Sequence, residues 1–272
     1  MQDILLYINW NPIPDAITIG HFSIKWYGIM WGISLMVSFF VAEYVFKKAN
    51  KDTDKITLII QYIFIFGLIG ARLGHVFFYG FDYYMNHPLE IPAVWKGGLA
   101  SHGGVIGALV GIYFFCRTDK EFSFFWLLDH SVIIVMFLAS FVRFGNLMNS
   151  ELYGTRTNVL WAFIFERADN IPRHPVVLYE SIAYLFIQFL MLYLFNKYKE
   201  TKPGIYLVVF LLLVFGVRFM LEFYKEPDGG LIFGISKTQA LNLPFIIAGA
   251  TLFYFVLRGK LQYKTTPLPA NG

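Results

Sequence analysis

The fold class this sequence predicts is an all-α, polytopic membrane protein with seven transmembrane helices and a small head on its outer face. Three observations lead there. Of 272 residues, 57% are hydrophobic and only 15% are charged, where a soluble domain carries about 25% charged residues. Apolar stretches near the roughly 20 residues needed to cross a bilayer recur along the whole length. Basic residues collect in every second connection between those stretches, the bias that orients membrane proteins.

Residues 1–272 read as a single integral membrane domain. The stretch before Lys25 holds no Lys or Arg and begins Met1-Gln2-Asp3, so it lacks the basic start of a cleavable signal peptide and is expected to be retained. A first helix is expected near 24–47, closing on Lys47 and Lys48, and a second near 57–79, after Lys51 and Lys55. The third, near 98–117, starts at Gly98 and closes on Arg117; the fourth, near 122–143, follows Lys120. The fifth, near 176–196, begins after Pro175, a residue suited to a first helical turn. It closes before Lys197, Lys199 and Lys202; the sixth is expected near 204–224 and the seventh near 238–258, ahead of Arg258, Lys260 and Lys264. Three connections and the tail thus hold 12 of the 22 basic residues. They belong inside, which puts the N-terminus outside and the C-terminus in the cytoplasm. Residues 144–175 mix Arg156, Arg167 and Arg173 with Asn, Gly, Pro and aromatic residues, too polar to span and too apolar for a disordered linker. They are expected to fold as the outer-face head.

The formal charge of +4 does not indicate nucleic acid as a partner, because the cations sit in short clusters between apolar runs. The single cysteine, Cys116, permits neither an intrachain disulfide nor a Cys-based metal cluster, and reads as a small hydrophobe near the membrane edge. No metal site and no cofactor is expected. Glycines four apart, Gly70 and Gly74, then Gly103, Gly107 and Gly111, would let helices approach closely in lipid.

Five apolar runs carry groups that are expensive there: Arg72, His75, His102, Asp129, His130, Arg143, Glu180, Arg218 and Glu222. A centred Arg costs at least about 2.5–3.5 kcal/mol, which makes each a functional candidate. Arg143 and Arg218 lie toward the outer ends of their helices, where snorkelling to the interface is the bland alternative. Arg143 has telling company: Arg143-Phe144-Gly145-Asn146-Leu147-Met148-Asn149-Ser150-Glu151-Leu152-Tyr153-Gly154 packs a cation, two carboxamides, an acid and two glycines at an apolar-to-polar boundary. A guanidinium offers a fork for phosphate, and amides can bind its remaining oxygens or a glycerol hydroxyl. Arg218 and Glu222, four apart, share a helix face, where the acid can hold the guanidinium. His102 follows Gly97-Gly98 and precedes Gly103-Gly104; its pKa suits proton transfer at neutral pH, although a lone His is more often structural.

In order along the chain, Trp26-Tyr27-Gly28, Gly70-Ala71-Arg72-Leu73-Gly74, Ser101-His102-Gly103-Gly104, the run from Arg143 to Gly154, Arg173-His174-Pro175 to Leu178-Tyr179-Glu180, and Arg218-Phe219 to Glu222-Phe223 with Pro227-Asp228 resemble the prolipoprotein diacylglyceryl transferase family. The resemblance covers nearly the whole chain. It implies an enzyme of the bacterial cytoplasmic (inner) membrane, active at the periplasmic face in the first step of lipoprotein maturation. Phosphatidylglycerol would give its diacylglyceryl group to the lipobox cysteine of a prolipoprotein signal peptide, with glycerol 1-phosphate released. Phosphatidylglycerol, the prolipoprotein and membrane lipid are then the partners. Carried onto this chain, the family's pattern implies Arg143 and Arg218 at the phosphate, with Asn146, Glu151, Gly154 and Glu222 in the lipid site and Tyr27 and His102 as further site residues. Either His102, directly or through a water, or a nearby Arg would promote thiolate formation; the sequence leaves both open. Val142, Leu147, Ser150, Val176 and Val177 depart from the family's usual residues.

Three other classes fit some features. A transporter would spread ionisable groups through the membrane depth, whereas here most cluster toward the outer half. An acyltransferase acting on glycerol phosphate would place its site inside, and the charge bias argues against that; a seven-helix receptor leaves the run after Arg143 unexplained.

Overall fold

The computed structural model describes residues 7–198, 202–226, 231–232 and 234–263. Met1, Gln2, Asp3, Lys199, Pro227, Asp228 and Lys264 lie outside them. The chain divides into two compact units, Met1–Ala42 with Asp129–Leu261 and Glu43–Leu128 with Gln262–Gly272, where the sequence suggested one domain.

Among the described residues, six helices are long and apolar enough to cross a membrane, by length and composition. They are α1 (Trp26–Lys48), α2 (Lys55–Tyr79), α5 (Phe124–Met148), α6 (Val176–Lys197), the interrupted helix Ile205–Tyr224, and α9 (Lys237–Leu257). Each overlaps an expected span, with ends that differ by up to five residues. The remaining one appears as α4 (Ser101–Thr118), an 18-residue helix that is not among the six; its glycines, His102 and Arg117 dilute its apolar content. Between α2 and α4 lies the short helix α3 (Phe81–Asn86).

In the second unit, α2 and α4 pack glycine to glycine. A Cβ on Gly70 would overlap the Gly103 carbonyl oxygen, one on Gly107 the Phe66 carbonyl oxygen, and one on Gly111 would stand 2.6 Å from that of Tyr62. The four-residue spacing therefore brings two backbones into contact, as small residues do where lipid supplies no hydrophobic drive. Arg72 is buried on α2 and satisfied by carbonyls: Nε donates to Ile91 O at 2.7 Å, Nη2 to Glu90 O at 2.7 Å, and Nη1 to Gly97 O at 2.6 Å. This explains an intramembrane cation without an acid, because the guanidinium clamps the loop leading into α4. Gly97 and Gly98 give that loop its left-handed turns, at φ +82° and +70°.

In the first unit, Ser140 on α5 and Ser181 on α6 each donate a hydroxyl to the other's carbonyl, at 2.8 and 3.0 Å. Asp129 accepts the N–H groups of Gly204 and Leu207 at 2.9 and 2.7 Å, and so caps α7 (Ile205–Val209) from a neighbouring helix. A π-helical turn, Phe210–Val214, then leads to α8 (Phe215–Leu221) and a 3-10 turn, Glu222–Tyr224. Helix α9 starts in a capping box: Ser236 Oγ accepts from Gln239 N while the Gln239 side chain accepts from Ser236 N.

The all-α expectation needs one correction. Strand β1 (Ile8–Trp10) pairs in parallel with β4 (Phe163–Phe165), which pairs antiparallel with β5 (Pro172–Arg173). The hairpin β2 (Asp15–Ile19) and β3 (Phe22–Lys25) runs directly into α1, and β6 (Leu231–Ile232) pairs with β7 (Ile235–Ser236) ahead of α9. Strands of two to five residues are too short to leave a periodic signal. Helix α5 also continues past the expected end at 143, so the head starts after Met148. Its apolar cluster joins Leu147, Phe163, Phe165 and Val177, with Trp10 packed against it and donating its Nε1–H to Leu147 O at 2.9 Å.

Candidate active site

Because α5 continues to Met148, Arg143 and Asn146 project from regular helix. Arg143 Nε lies 2.7 Å from Glu180 Oε2 on α6. Glu180 is fully buried, and its other oxygen accepts from Lys225 Nζ at 2.8 Å. A buried carboxylate is costly unless paired, and here two cations flank it. Lys225 also lies 3.7 Å from Glu222 Oε2, while Glu222 Oε1 accepts from Ser236 Oγ at 3.0 Å. The cap residue of α9 thereby orients Glu222. One turn after Glu180 on α6, Tyr184 is buried, with the charges of Arg143 and Arg218 in its electrostatic surroundings.

Arg218 is held differently. Its Nε is buried with no hydrogen-bond partner, and no carboxylate pairs with it among the described residues. The expected bond to Glu222 is not made. The chain tightens into the 3-10 turn at Glu222, which takes the carboxylate out of the four-residue alignment and toward Ser236 and Lys225. Upstream, the π turn inserts an additional residue and so resets the direction in which Arg218 projects.

The run after Arg143 closes on itself. Asn146 Nδ2 and Asn149 Nδ2 donate to the two oxygens of Glu151, at 2.9 and 3.2 Å. Gly154 is wedged: a Cβ would stand 2.6 Å from Tyr224 O and 2.7 Å from His174 O. Gly154 N donates to His174 O at 2.8 Å and Thr155 N to Tyr224 O at 2.7 Å, which stitches the head to the end of the interrupted helix. Arg173 reinforces the seam, donating from Nη2 to Asp169 at 2.7 Å and from Nη1 to Glu226 at 2.9 Å. The Arg173 hydrogen bonds hold the Asp169 carboxyl below the usual carboxylate range. Burial pushes the His174 imidazole down.

Comparison with known proteins matches the chain to one family. The family profile described as prolipoprotein diacylglyceryl transferase matches residues 14–255. The phosphatidylglycerol--prolipoprotein diacylglyceryl transferase of Chloroherpeton thalassium is 44% identical over 268 residues, covering 97% of this chain and 100% of the relative. The chain belongs to the prolipoprotein diacylglyceryl transferase family. Identically named proteins of Tolumonas auensis and Bacteroides fragilis are 38% and 37% identical, covering 93% and 94% of this chain.

Within the first unit, ion pairs link Arg143 to Glu222 through Glu180 and Lys225, Asn146 bonds Glu151, and Gly154 lies against the Tyr224 end of the interrupted helix that carries Arg218. Tyr27, on the first turn of α1, packs against α5: a Cβ on Gly145 would stand 2.9 Å from Tyr27 Cδ2. His102, in the second unit, is the second residue of α4 and is exposed. In the sequence Glu180 stands out as an expensive group and as the end of one family segment, whereas Lys225, Tyr184 and Ser236 carry no distinguishing local pattern. Spacing is the only trace of two of them, since Lys225 falls three residues after Glu222 and Tyr184 four after Glu180. The departures at Leu147 and Val177 meet each other in the apolar cluster of the head, so one replaced residue packs on another. The transferase family is thus represented here by a multi-pass membrane protein.

Proposed function

We propose that this chain transfers the diacylglyceryl group of phosphatidylglycerol to the lipobox cysteine thiol of prolipoproteins. The observation that carries the site assignment is Arg218, a cation whose Nε is buried and unbonded and which has no carboxylate partner among the described residues, whereas Arg143 is paired to Glu180. A headgroup phosphate is the counter-ion such a cation fits. The sulfur attacks the sp³ glyceryl carbon, a C–S bond forms, and the C–O bond to phosphate breaks with its electron pair leaving on glycerol 1-phosphate. Arg143 and Arg218 offset the charge that grows on that phosphate. Asn146 and Glu151 shape the headgroup site, Gly154 and Tyr27 set its walls, and Glu222 positions its neighbours. His102, or a water it orients, takes the thiol proton; its support is the chemistry of imidazole and the family's pattern. No metal or cofactor is needed for displacement at an sp³ carbon.

In the same reading α4 is the seventh span, held to α2 by its glycines, and the basic connections lie in the cytoplasm. The N-terminus and the head are then periplasmic.

Purified protein, phosphatidylglycerol micelles and a lipobox peptide test the reading. A diacylglyceryl mass gain on the peptide cysteine is expected, with little or none when phosphatidylethanolamine replaces the donor. Arg143→Ala and Arg218→Ala should each lower turnover by at least about 100-fold. A peptide that gains no mass with the wild-type protein sinks the reading, and near-normal turnover by His102→Gln sinks the base role alone.

A further inference from the structure

Arg143, Glu180, Lys225 and Glu222 form one chain of ion contacts, at 2.7, 2.8 and 3.7 Å. Two cations face two carboxylates along it, and Arg218, on the same interrupted helix as Glu222, has no carboxylate partner among the described residues. Glu180 is the centre of this chain: fully buried, it spends one oxygen on Arg143 and the other on Lys225. Were Glu180 to face Arg143 alone, that pair would be neutral, and an approaching anion would meet an uncompensated carboxylate close behind the guanidinium. With Lys225 on its far oxygen, the carboxylate aims Arg143 without cancelling it.

We propose that Lys225 is a positioning residue for the anionic headgroup, offsetting Glu180 so that Arg143 keeps its charge for the phosphate. The assignment rests on the reading given under Proposed function. Lys225 itself need not touch the lipid; it acts through Glu180. Its second contact, to Glu222, ties it to Ser236 at the start of α9 and fixes the ammonium between two acids.

Lys225→Gln is the deciding variant, because a carboxamide can still donate to Glu180 while carrying no charge, and Glu180 stays paired with Arg143. With phosphatidylglycerol micelles and lipobox peptide, its KM for the lipid should rise about tenfold or more while kcat stays within about threefold, the signature of lost binding. Lys225→Arg should lie near wild type. In Lys225→Gln/Glu180→Gln a cation and an acid leave together, the net charge is restored, and KM should return toward wild type. A KM for Lys225→Gln equal to wild type overturns the proposal, as does a loss confined to kcat, or a double variant at least as impaired as the single one. If Lys225→Gln does not accumulate in membranes, the double variant and Lys225→Arg carry the test, and a tenfold rise in KM in either overturns it. Failure of the wild-type enzyme to lipidate the peptide is a separate result, which removes the functional reading itself.

Discussion

Ser150 holds a left-handed backbone, φ +56°, and its Oγ is buried without a hydrogen-bond partner. For an L-residue that conformation costs about 1–2 kcal/mol, and a buried unbonded hydroxyl adds to it. Ser150→Gly is therefore expected to stabilise the protein by about 1 kcal/mol, read as a higher thermal midpoint in detergent. A lower midpoint would show that the hydroxyl contributes. The same turn explains why Arg143, Asn146, Glu151 and Gly154 were legible in sequence: contiguous in the chain, they gather at one bend, and their polarity stands out beside an apolar helix. Lys225, Ser236 and Tyr184 were not legible because each acquires its meaning across helices. No local pattern announces that a cap residue of α9 will donate to Glu222, or that the buried acid of α6 will be shared.

Spans were read well at the level of elements, because lipid demands about 20 self-bonded apolar residues and the chain has no other way to satisfy its backbone. Ends were read less well. Helix α5 outruns its expected end by five residues since Phe144 and Leu147 remain packed under the head, and α4 fell short in apolar content because its glycines were chosen for contact with α2. The π turn at Phe210–Val214 had no sequence signal, as all five residues are ordinary apolar helix formers in a membrane. It carries a prediction. Deleting the exposed Leu213 should convert the turn to regular helix and rotate Arg218 by roughly 100°. Lipidation of the peptide should then fall by at least about 100-fold while the protein still folds and extracts. Retained activity would mean that the direction of Arg218 does not depend on the turn.

At the scale of the molecule, acid sensitivity follows from the seam of the head. Arg173 lowers the folded pKa of Asp169, so this contribution is complete above the unfolded value near 3.9 and is lost as pH falls through the lower folded value. Burial lowers the folded pKa of His174, so the unfolded chain takes the proton first and stability begins to decline below about pH 6.5. Thermal midpoints in detergent should fall in two stages between pH 7 and 3. Asp169→Asn should abolish only the lower stage, by a modest amount because Asp169 is partly solvated. A flat profile would show that the seam does not govern unfolding.

Strand β1 takes its parallel partner from residues 163–165, some 155 positions later in the chain. During synthesis at about 5–20 residues per second, the first strand off the ribosome waits on the order of ten seconds for its mate. The head is accordingly among the last parts to close, and a growing chain halted before Phe163 carries an N-terminal tail whose edge is still open to the wrong strand.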